Sequence, residues 1–209
     1  MKTVIIHGQN HNGSTCHIAK QLADKIGGET SEFFLPQDFG DFCCGCTQCF
    51  TKSEIKCPHY ESLSPITQAI DEADVIILAS PVYVYHATGA MKAFLDHYGW
   101  RWMVHRPDER MFKKQGVCIS TAAGAGTRST NKDMGRQPVL LGSAKDIQVR
   151  DRRCRDKLGR CSRKEEAACG KGDGLYRRQN HKTERQSEAG HKNKGLFPYY
   201  ENDSKKRME

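Results

Sequence analysis

One short apolar run constrains the fold of this chain more than any other feature of its sequence. Residues 75–79 read Val-Ile-Ile-Leu-Ala without a polar interruption, and such a run is typical of a strand that is covered on both faces. Strands are also predicted at residues 3–7, 32–35 and 116–121. A sheet covered on both faces needs a layer of helices on each side, so the strands predict an α/β protein.

Segments with helical periodicity separate these strands. Apolar residues recur at intervals of four after Ser14 and again within residues 63–73, and a third helix is predicted over residues 88–98. Ser64 and Pro65 are interpreted as the cap and the first-turn proline of the second helix. The alternation predicts a doubly wound parallel sheet, and such sheets bind ligands at the carboxyl ends of their strands.

The composition divides the chain at about residue 134. Residues 1–134 hold 13 Lys and Arg against 14 Asp and Glu, whereas residues 135–209 hold 20 against 11, a net charge of +9. Only 9 of those last 75 residues are Leu, Ile, Val or Phe, too few for a packed core at that charge. We expect a globular domain over residues 1–134 and a poorly ordered basic tail over residues 135–209.

The loop after the first strand has the composition of an anion-binding loop. Residues 8–15 read Gly-Gln-Asn-His-Asn-Gly-Ser-Thr and lead into the first predicted helix. Main-chain N–H groups at a helix start, with hydroxyls beside them, suit a phosphate dianion. On these residues alone the alternative is a helix that is capped by Asn12 or Ser14 and binds no ligand.

Five of the ten cysteines fall between residues 43 and 57. Cys43, Cys46, Cys49 and Cys57 have the spacing C-x2-C-x2-C-x7-C, which lets three thiolates converge while a fourth arrives from a short loop, as a four-iron cluster requires. Cys44 is a fifth sulfur outside the pattern. Free or redox-active thiols and a zinc ion are the alternatives, and the spacing suits a four-iron cluster better than zinc.

The most specific motif follows the third strand. Residues 80–96 read Ser-Pro-Val-Tyr-Val-Tyr-His-Ala-Thr-Gly-Ala-Met-Lys-Ala-Phe-Leu-Asp. This segment resembles the Ser-Pro-Val-Tyr loop and the Gly-x-x-Lys-x-Phe-x-Asp helix of the NADPH-dependent FMN reductase and iron–sulfur flavoprotein family. Residues 8–15 resemble the phosphate loop of that family. The resemblance covers about residues 2–134 and implies a flavodoxin-like, three-layer α/β/α fold.

The resemblance also implies where FMN binds. Family members hold the FMN phosphate in the first loop and the isoalloxazine ring on the main chain after the third strand, with the glycine-rich loop after the fourth strand beside the ring. Position by position, the residues implied for the phosphate are Gln9, His11, Ser14 and Thr15. Those implied for the ring are Pro81, Val82, Tyr83 and Val84, followed by Thr121, Ala122 and Gly124.

The sequence therefore predicts an FMN-dependent NAD(P)H oxidoreductase that takes a hydride onto the flavin N5 and passes electrons to a small-molecule or protein acceptor. No side chain is predicted to be a general acid or base, which fits a reaction that chiefly requires two aligned rings. One alternative is an electron carrier with a [4Fe-4S] cluster at the four cysteines, as in iron–sulfur flavoproteins. A weaker one is a nucleic-acid-binding module that uses the basic tail.

Two further expectations concern the assembly and the location of the protein. The family resemblance implies a homo-oligomer. The sequence contains no apolar run of the roughly 20 residues that cross a bilayer, and its first residues do not read as a signal peptide. We therefore expect a soluble cytoplasmic protein with no membrane partner.

A shifted reading frame is a further hypothesis for the tail. A flavodoxin-like sheet needs a fifth strand and two more helices, and no periodic segment beyond Met134 predicts them. With suitable codons, a one-base shift gives family-like helical sequence both after Met134 and from Ala189 onwards. We expect a frame shift just after Met134 and an incomplete sheet with an exposed edge, and the nucleotide sequence tests this expectation.

Overall fold

The computed structural model of the chain describes residues 1–104, 108–137 and 145–152. The strands are β1 (Lys2–His7), β2 (Glu29–Phe34), β3 (Val75–Pro81), β4 (Gln115–Ala122) and β5 (Lys145–Arg152). The α-helices are α1 (Ser14–Ile26), α2 (Gln48–Thr51), α3 (Tyr60–Glu72), α4 (Gly89–Asp96), α5 (Trp100–Met103) and α6 (Thr127–Gly135). Two short 3-10 turns occupy Glu54–Lys56 and Glu109–Lys113.

All the strands pair in parallel in one sheet with the order β2-β1-β3-β4-β5. This is the flavodoxin-like doubly wound order, in which the chain runs outward from β1 in one direction and then in the other. The predicted fold class is therefore confirmed. The four predicted strands all form, with boundaries that differ from the prediction by at most three residues.

Two apolar cores lie on opposite faces of the sheet. Val4 and Ile6 of β1 belong to one core, which also contains buried residues of α3 and α4. Ile5 points to the other face, where it packs with Ala19 and Ala23 of α1. Because successive side chains of a strand alternate between faces, this division shows that both faces of β1 are covered.

Helix α3 begins three residues before its predicted start. Pro65 therefore lies inside the helix and not in its first turn, so that part of the prediction is wrong. A proline at this position cannot donate to the carbonyl of Glu61, four residues earlier. The hydroxyl of Ser64 donates to that carbonyl over 3.2 Å, which supplies the hydrogen bond that Pro65 cannot make.

The predicted incomplete sheet is also corrected by the structure. Strand β5 follows Met134 and pairs with β4 from Gln115↔Lys145 to Ala122↔Arg152. Main-chain hydrogen bonds to a sheet edge do not require an apolar sequence, which explains why hydrophobic periodicity failed to predict this strand. A missing fifth strand therefore no longer supports the hypothesis of a shifted reading frame, which stays a prediction. Residues 153–209 lie outside the described part of the chain.

No helix within the described ranges combines the length and the apolar character that a bilayer crossing requires.

Candidate functional site

Three loops meet at the carboxyl edge of the sheet. The first loop (residues 8–13) joins β1 to α1, the second loop (residues 82–88) joins β3 to α4, and the third loop (residues 123–126) joins β4 to α6. Because β1, β3 and β4 are parallel neighbours, their ends lie side by side. The structure thus brings the three predicted binding segments to one place.

Buried hydrogen bonds lock the first loop to the second. The N–H of Gly8 donates to the carbonyl of Ala79 over 2.7 Å. The Thr88 hydroxyl donates to the carbonyl of Gly8 over 2.5 Å, and the Thr88 N–H donates to the Ser80 hydroxyl over 3.1 Å. A Cβ on Gly8 would lie 2.9 Å from Oγ1 of Thr88, so this close approach requires glycine.

A second buried contact connects the start of α1 to the end of β4. The hydroxyl oxygens of Thr15 and Thr121 are 2.6 Å apart, and each residue is 8% exposed. The sequence assigned Thr15 to the phosphate and Thr121 to the ring. Their hydrogen bond joins the start of α1, which follows the first loop, to the end of β4, which precedes the third loop.

Helix α1 begins without a side-chain cap. Its N-cap is Gly13, which makes no side-chain hydrogen bond to the helix, so the capped alternative from Asn12 or Ser14 is wrong. Asn12 instead accepts a 3.5 Å hydrogen bond from the Cys16 thiol. The imidazole of His11 lies against Gly13, because a Cβ there would be 2.5 Å from its Cε1 atom. The positive end of the α1 dipole is therefore available to an anion.

A narrow cleft opens at this helix start. It is lined by residues of the first loop, of α1 and of the end of β3: His7, Gln9, His11, Gly13, Thr15, Cys16, Ala79 and Pro81. Gln9, His11, Thr15 and Pro81 are predicted site residues. The other predicted phosphate ligand, Ser14, is half-buried at the first position of α1.

The wall of the cleft contains a buried histidine that the sequence analysis treated only as a strand residue. Nε2 of His7 is 2.9 Å from a carboxylate oxygen of Glu32, and its ring stacks on Phe34 at a centroid distance of 4.3 Å. Lys20 places its ammonium 3.3 Å from the same carboxylate. Burial lowers the pKa of His7, although the hydrogen bond with Glu32 opposes that shift.

The second loop contains a tight two-residue hairpin. Tyr83 and His86 exchange main-chain hydrogen bonds of 2.9 and 3.0 Å. Between them, Val84 and Tyr85 have φ values of 48° and 68°, a left-handed conformation that is costly for β-branched and bulky residues. Their side chains are 89% and 64% exposed. Strain combined with exposed apolar groups is typical of a ligand-binding segment.

Helix α6 holds this hairpin in place. The hydroxyl of Ser129 donates to the carbonyl of Tyr85. Nδ1 of His86 is 2.7 Å from a carboxylate oxygen of Asp133. The conformation of the hairpin is thus fixed from outside by two contacts to one helix.

Gly126 lets the third loop approach the second. Its φ is +98°, which favours glycine. A Cβ at this position would lie 2.6 Å from Cγ1 of Val82 and 3.0 Å from Cα of Tyr85. Of the other predicted residues in this region, Ala122 is half-buried and Gly124 is exposed.

The four cysteines that are predicted to hold the cluster lie in one segment, residues 43–57. Cys43, Cys44 and Cys46 are exposed, and Cys49 and Cys57 are half-buried; none of the five forms a disulfide. Burial raises the pKa of Cys49, and the nearby thiols of Cys57, Cys43 and Cys46 raise it further. Cys49 is therefore within electrostatic range of the other three predicted ligands.

Two compact groups of metal-ligating side chains do occur among the described residues, and only one of them contains a predicted cluster cysteine. Among the described residues, the groups whose ligand atoms all lie within 4.8 Å of one another are Cys57-His59-His97 and His7-Cys16-Glu32. The full set of four cysteines is not such a group within these ranges. A shared cluster would have to draw the exposed thiols inward, and metal binding commonly supplies the free energy for such ordering.

The sequence profile of the NADPH-dependent FMN reductase family matches residues 1–137 of this chain. The chain belongs to this family. It is 36% identical over 89 residues to an iron-sulfur flavoprotein of Archaeoglobus fulgidus, a match that covers 41% of this chain and 36% of the relative. It is 33% identical over 100 residues to an iron-sulfur flavoprotein of Methanocaldococcus jannaschii, covering 46% and 51% of the two chains.

The matched region thus spans about a third to a half of the length of these curated relatives. Among solved structures, an FMN-dependent NADH-azoreductase from Bacillus anthracis is similar with a TM-score of 0.53 at 16% identity, covering 72% of this chain and 86% of that one. At that identity the likeness shows the shared flavodoxin-like fold.

Membership of the FMN reductase family confirms the resemblance drawn from the loop after β3. The roles of the individual site residues stay predictions. Sequence reasoning missed His7, although it ends a buried strand, and it gave no role to Thr88, although Thr88 precedes the predicted helix motif. It also missed the pairing of His59 with His97, which are separated by 38 positions and connected by no local pattern.

Proposed function

We propose that this protein is an NAD(P)H-dependent oxidoreductase that binds FMN at the carboxyl edge of its sheet. The observation that carries the proposal is a cleft that the uncapped start of α1 shares with Pro81, the residue that leads directly into the strained, exposed second loop. Family membership adds the identity of the cofactor. Hydrogen bonds among Gly8, Ser80 and Thr88 fix this arrangement before any ligand enters.

The phosphate of FMN would lie at the start of α1. Its ligands would be the main-chain N–H groups of the first turn together with the side chains of Gln9, His11, Ser14 and Thr15. The helix dipole and the unsatisfied N–H groups favour a dianion there. Glycine at the N-cap leaves this position open, because position 13 has no side chain that could compete for those N–H groups.

The ring would lie along residues 81–84, with Thr121, Ala122 and Gly124 beside it. The N–H of Val82 donates to Thr121 and that of Tyr83 donates to His86, both over 2.9 Å. Among the described residues, the N–H groups of Val84 and Tyr85 have no main-chain acceptor. We therefore assign the hairpin tip as the source of donors to the flavin pyrimidine edge, where they would stabilise negative charge.

Bound FMN supplies the chemistry, namely acceptance of a hydride at N5 and onward transfer of electrons. The residues of this chain bind and orient the ring and the nicotinamide, and no proton transfer by a side chain is required. The exposed side chains of Tyr83, Val84 and Tyr85 offer an apolar surface that would shield the reacting face from water.

Anaerobic flavin titration tests this proposal. Flavin-free protein should bind one equivalent of FMN, detected by a change in flavin fluorescence. Stoichiometric NADPH or NADH should then bleach the flavin absorption. Protein that takes up no FMN, or whose bound FMN neither nicotinamide reduces, would contradict the proposal.

We also propose a second redox centre, a [4Fe-4S] cluster held by Cys43, Cys46, Cys49 and Cys57, which would exchange single electrons with FMN. The C-x2-C-x2-C-x7-C spacing of these four residues supports it. The curated relatives that match are named iron-sulfur flavoproteins. Anaerobically prepared protein should be brown, should contain four iron and four sulfide per chain, and should lose broad absorption on reduction.

A homo-oligomer and a small-molecule or protein electron acceptor complete the proposal. Exposed apolar side chains at Val84, Tyr85 and Phe112 offer surface for a second copy. Sedimentation velocity tests the oligomer. Retention on heparin without bound flavin would favour the nucleic-acid alternative, whose basic tail lies mostly outside the described residues.

A further inference from the structure

Three metal-ligating side chains that do not line the proposed FMN cleft lie close to one another. The ligand atoms of Cys57, His59 and His97 are all within 4.8 Å of one another. Nδ1 of His59 is 3.0 Å from Nε2 of His97. We infer that these three residues bind a divalent transition metal ion, with Zn²⁺ as the preferred occupant.

His97 is oriented for this role by its surroundings. Its Nδ1 is 2.9 Å from the carbonyl oxygen of Ala93. Since a carbonyl only accepts, Nδ1 carries the proton and Nε2 presents its lone pair to His59. The imidazole is 4% exposed and meets the Phe39 ring edge-on at 4.9 Å. A metal-bound histidine commonly donates its second ring N–H to a carbonyl in this way.

The other two ligands are held on a short turn before α3. His59 is the N-cap of α3, and its carbonyl accepts a 3.0 Å hydrogen bond from Leu63. The carbonyl of Cys57 accepts a 3.0 Å hydrogen bond from Tyr60. The turn presents a thiol and an imidazole two residues apart, while His97 comes from the end of α4.

The spacing of these atoms suits a tetrahedral ion. With Zn–N near 2.05 Å and Zn–S near 2.3 Å, tetrahedral geometry needs about 3.3 Å between two nitrogens and about 3.6 Å between nitrogen and sulfur. The observed 3.0 Å between the imidazole nitrogens needs a widening of only about 0.3 Å. One thiolate and two imidazoles leave a fourth position for water or another thiolate, and sulfur with nitrogen favours zinc over magnesium or calcium.

Metal binding at this site requires the ligand atoms to lose or move protons. Cys57 releases its thiol proton when the metal–sulfur bond forms, and the proton on Nδ1 of His59 moves to Nε2, so one proton leaves per ion bound. His97 keeps its proton on Nδ1. Because Cys57 also belongs to the proposed [4Fe-4S] set, the ion and the cluster exclude each other.

Metal titration of the full chain tests the site. The protein is stripped with a chelator under reducing conditions and titrated with Co²⁺, with Zn²⁺ as competitor. We expect one tightly bound equivalent, the visible bands of tetrahedral Co²⁺, and a near-ultraviolet thiolate-to-cobalt band that Zn²⁺ abolishes. Cys57→Ser should remove the thiolate band, and His59→Asn should weaken Co²⁺ binding at least about tenfold.

Matched controls separate this site from the cysteine motif. Cys44→Ser and His17→Asn change exposed residues of the same types and should leave Co²⁺ binding unchanged. His97→Gln tests the buried ligand, and if that variant fails to fold, the half-buried His59 decides the question. Unchanged affinity in His59→Asn, or loss of binding in Cys43→Ser, would overturn the assignment. FMN uptake measured in the same samples reports separately on the proposed function.

Discussion

The carboxyl edge of the sheet and the cysteine segment (residues 41–57) are organised in opposite ways. At the edge, Ser80 and Thr88 are buried and their hydroxyls fix the main chain of two loops. In the cysteine segment, residues 41–47 are all exposed, and Phe42 is 75% exposed. One candidate site is built before its ligand arrives, and the other presents its ligand atoms with little support.

The chemistry of the two ligands accounts for this contrast. A flavin is recognised by weak main-chain contacts, which contribute to affinity only when the donors are already in position. Thiolate–metal bonds are strong enough to order a segment as they form. We therefore expect substitutions in the two regions to have different consequences for the stability of the unliganded protein.

The largest expected effect comes from a substitution in the cysteine segment and is on cluster assembly. Cys46→Ser should abolish assembly of the iron–sulfur cluster, because three thiolates leave one iron without a protein sulfur. Its free energy of unfolding without metal should change by less than about 0.5 kcal/mol, because Cys46 is exposed. Iron and sulfide analysis and urea unfolding measure the two effects. Cys44→Ser should keep the cluster, and an equal loss in that variant would contradict the predicted ligand set.

Gly126→Ala should weaken FMN binding at least about a hundredfold, roughly 2.7 kcal/mol. The new Cβ would lie 2.6 Å from Val82 and 3.0 Å from the main chain of Tyr85, at a φ that alanine rarely adopts. The control is Gly89→Ala, where a Cβ meets nothing within 4 Å. Fluorescence titration with FMN compares the two variants, and equal affinities would show that the approach of the third loop to the second does not shape the site.

Thr88→Val should reduce the free energy of unfolding by about 2–3 kcal/mol. It removes the donor to Gly8 and the N-cap acceptor of the Met91 N–H, both in buried surroundings. Thr51→Val also removes a hydroxyl that donates to a carbonyl, that of Thr47, but on the exposed surface of the cysteine segment. Urea unfolding should show a change below about 0.5 kcal/mol for Thr51→Val, and similar losses in both would break the comparison.

The smallest expected effect is a loss of folding stability at acidic pH. Because burial lowers the pKa of His7, the unfolded chain binds a proton at higher pH than the folded one. Stability should therefore be intact above the ordinary histidine pKa of about 6.5 and should fall as the pH drops below it. His7→Asn should flatten this part of the stability curve, whereas His17→Asn, at an exposed position, should not. An unchanged curve in His7→Asn would show that His7 is not the group responsible.

Sequence reasoning predicted most of the fold because central strands carry their own signal. The run at residues 75–79 lies inside β3, and every residue of that run is buried, since both faces are covered. Strand β5 was missed because its sequence, Lys-Asp-Ile-Gln-Val-Arg-Asp-Arg, offers only two apolar residues. Its pairing with β4 depends on main-chain groups, which are the same in every sequence.

The candidate site was predictable to the level of loops. Parallel strands end at one edge, so the three loops had to meet there, and the motif after β3 indicated the cofactor class. The contacts that hold those loops were not predictable. Thr15 and Thr121 are 106 positions apart, and His86 and Asp133 are 47 positions apart. No local pattern connects residues so distant in the chain.

The sequence by itself determined the layered α/β architecture and the family, because periodicity and loop motifs are local properties of the chain. Only the tertiary structure decided that Gly13 begins α1 without a cap, that the hairpin at Val84 is strained, and that His59 meets His97 beside Cys57. These features arise where separate elements pack together. Packing is settled by the whole fold, so it leaves no signature in any single segment.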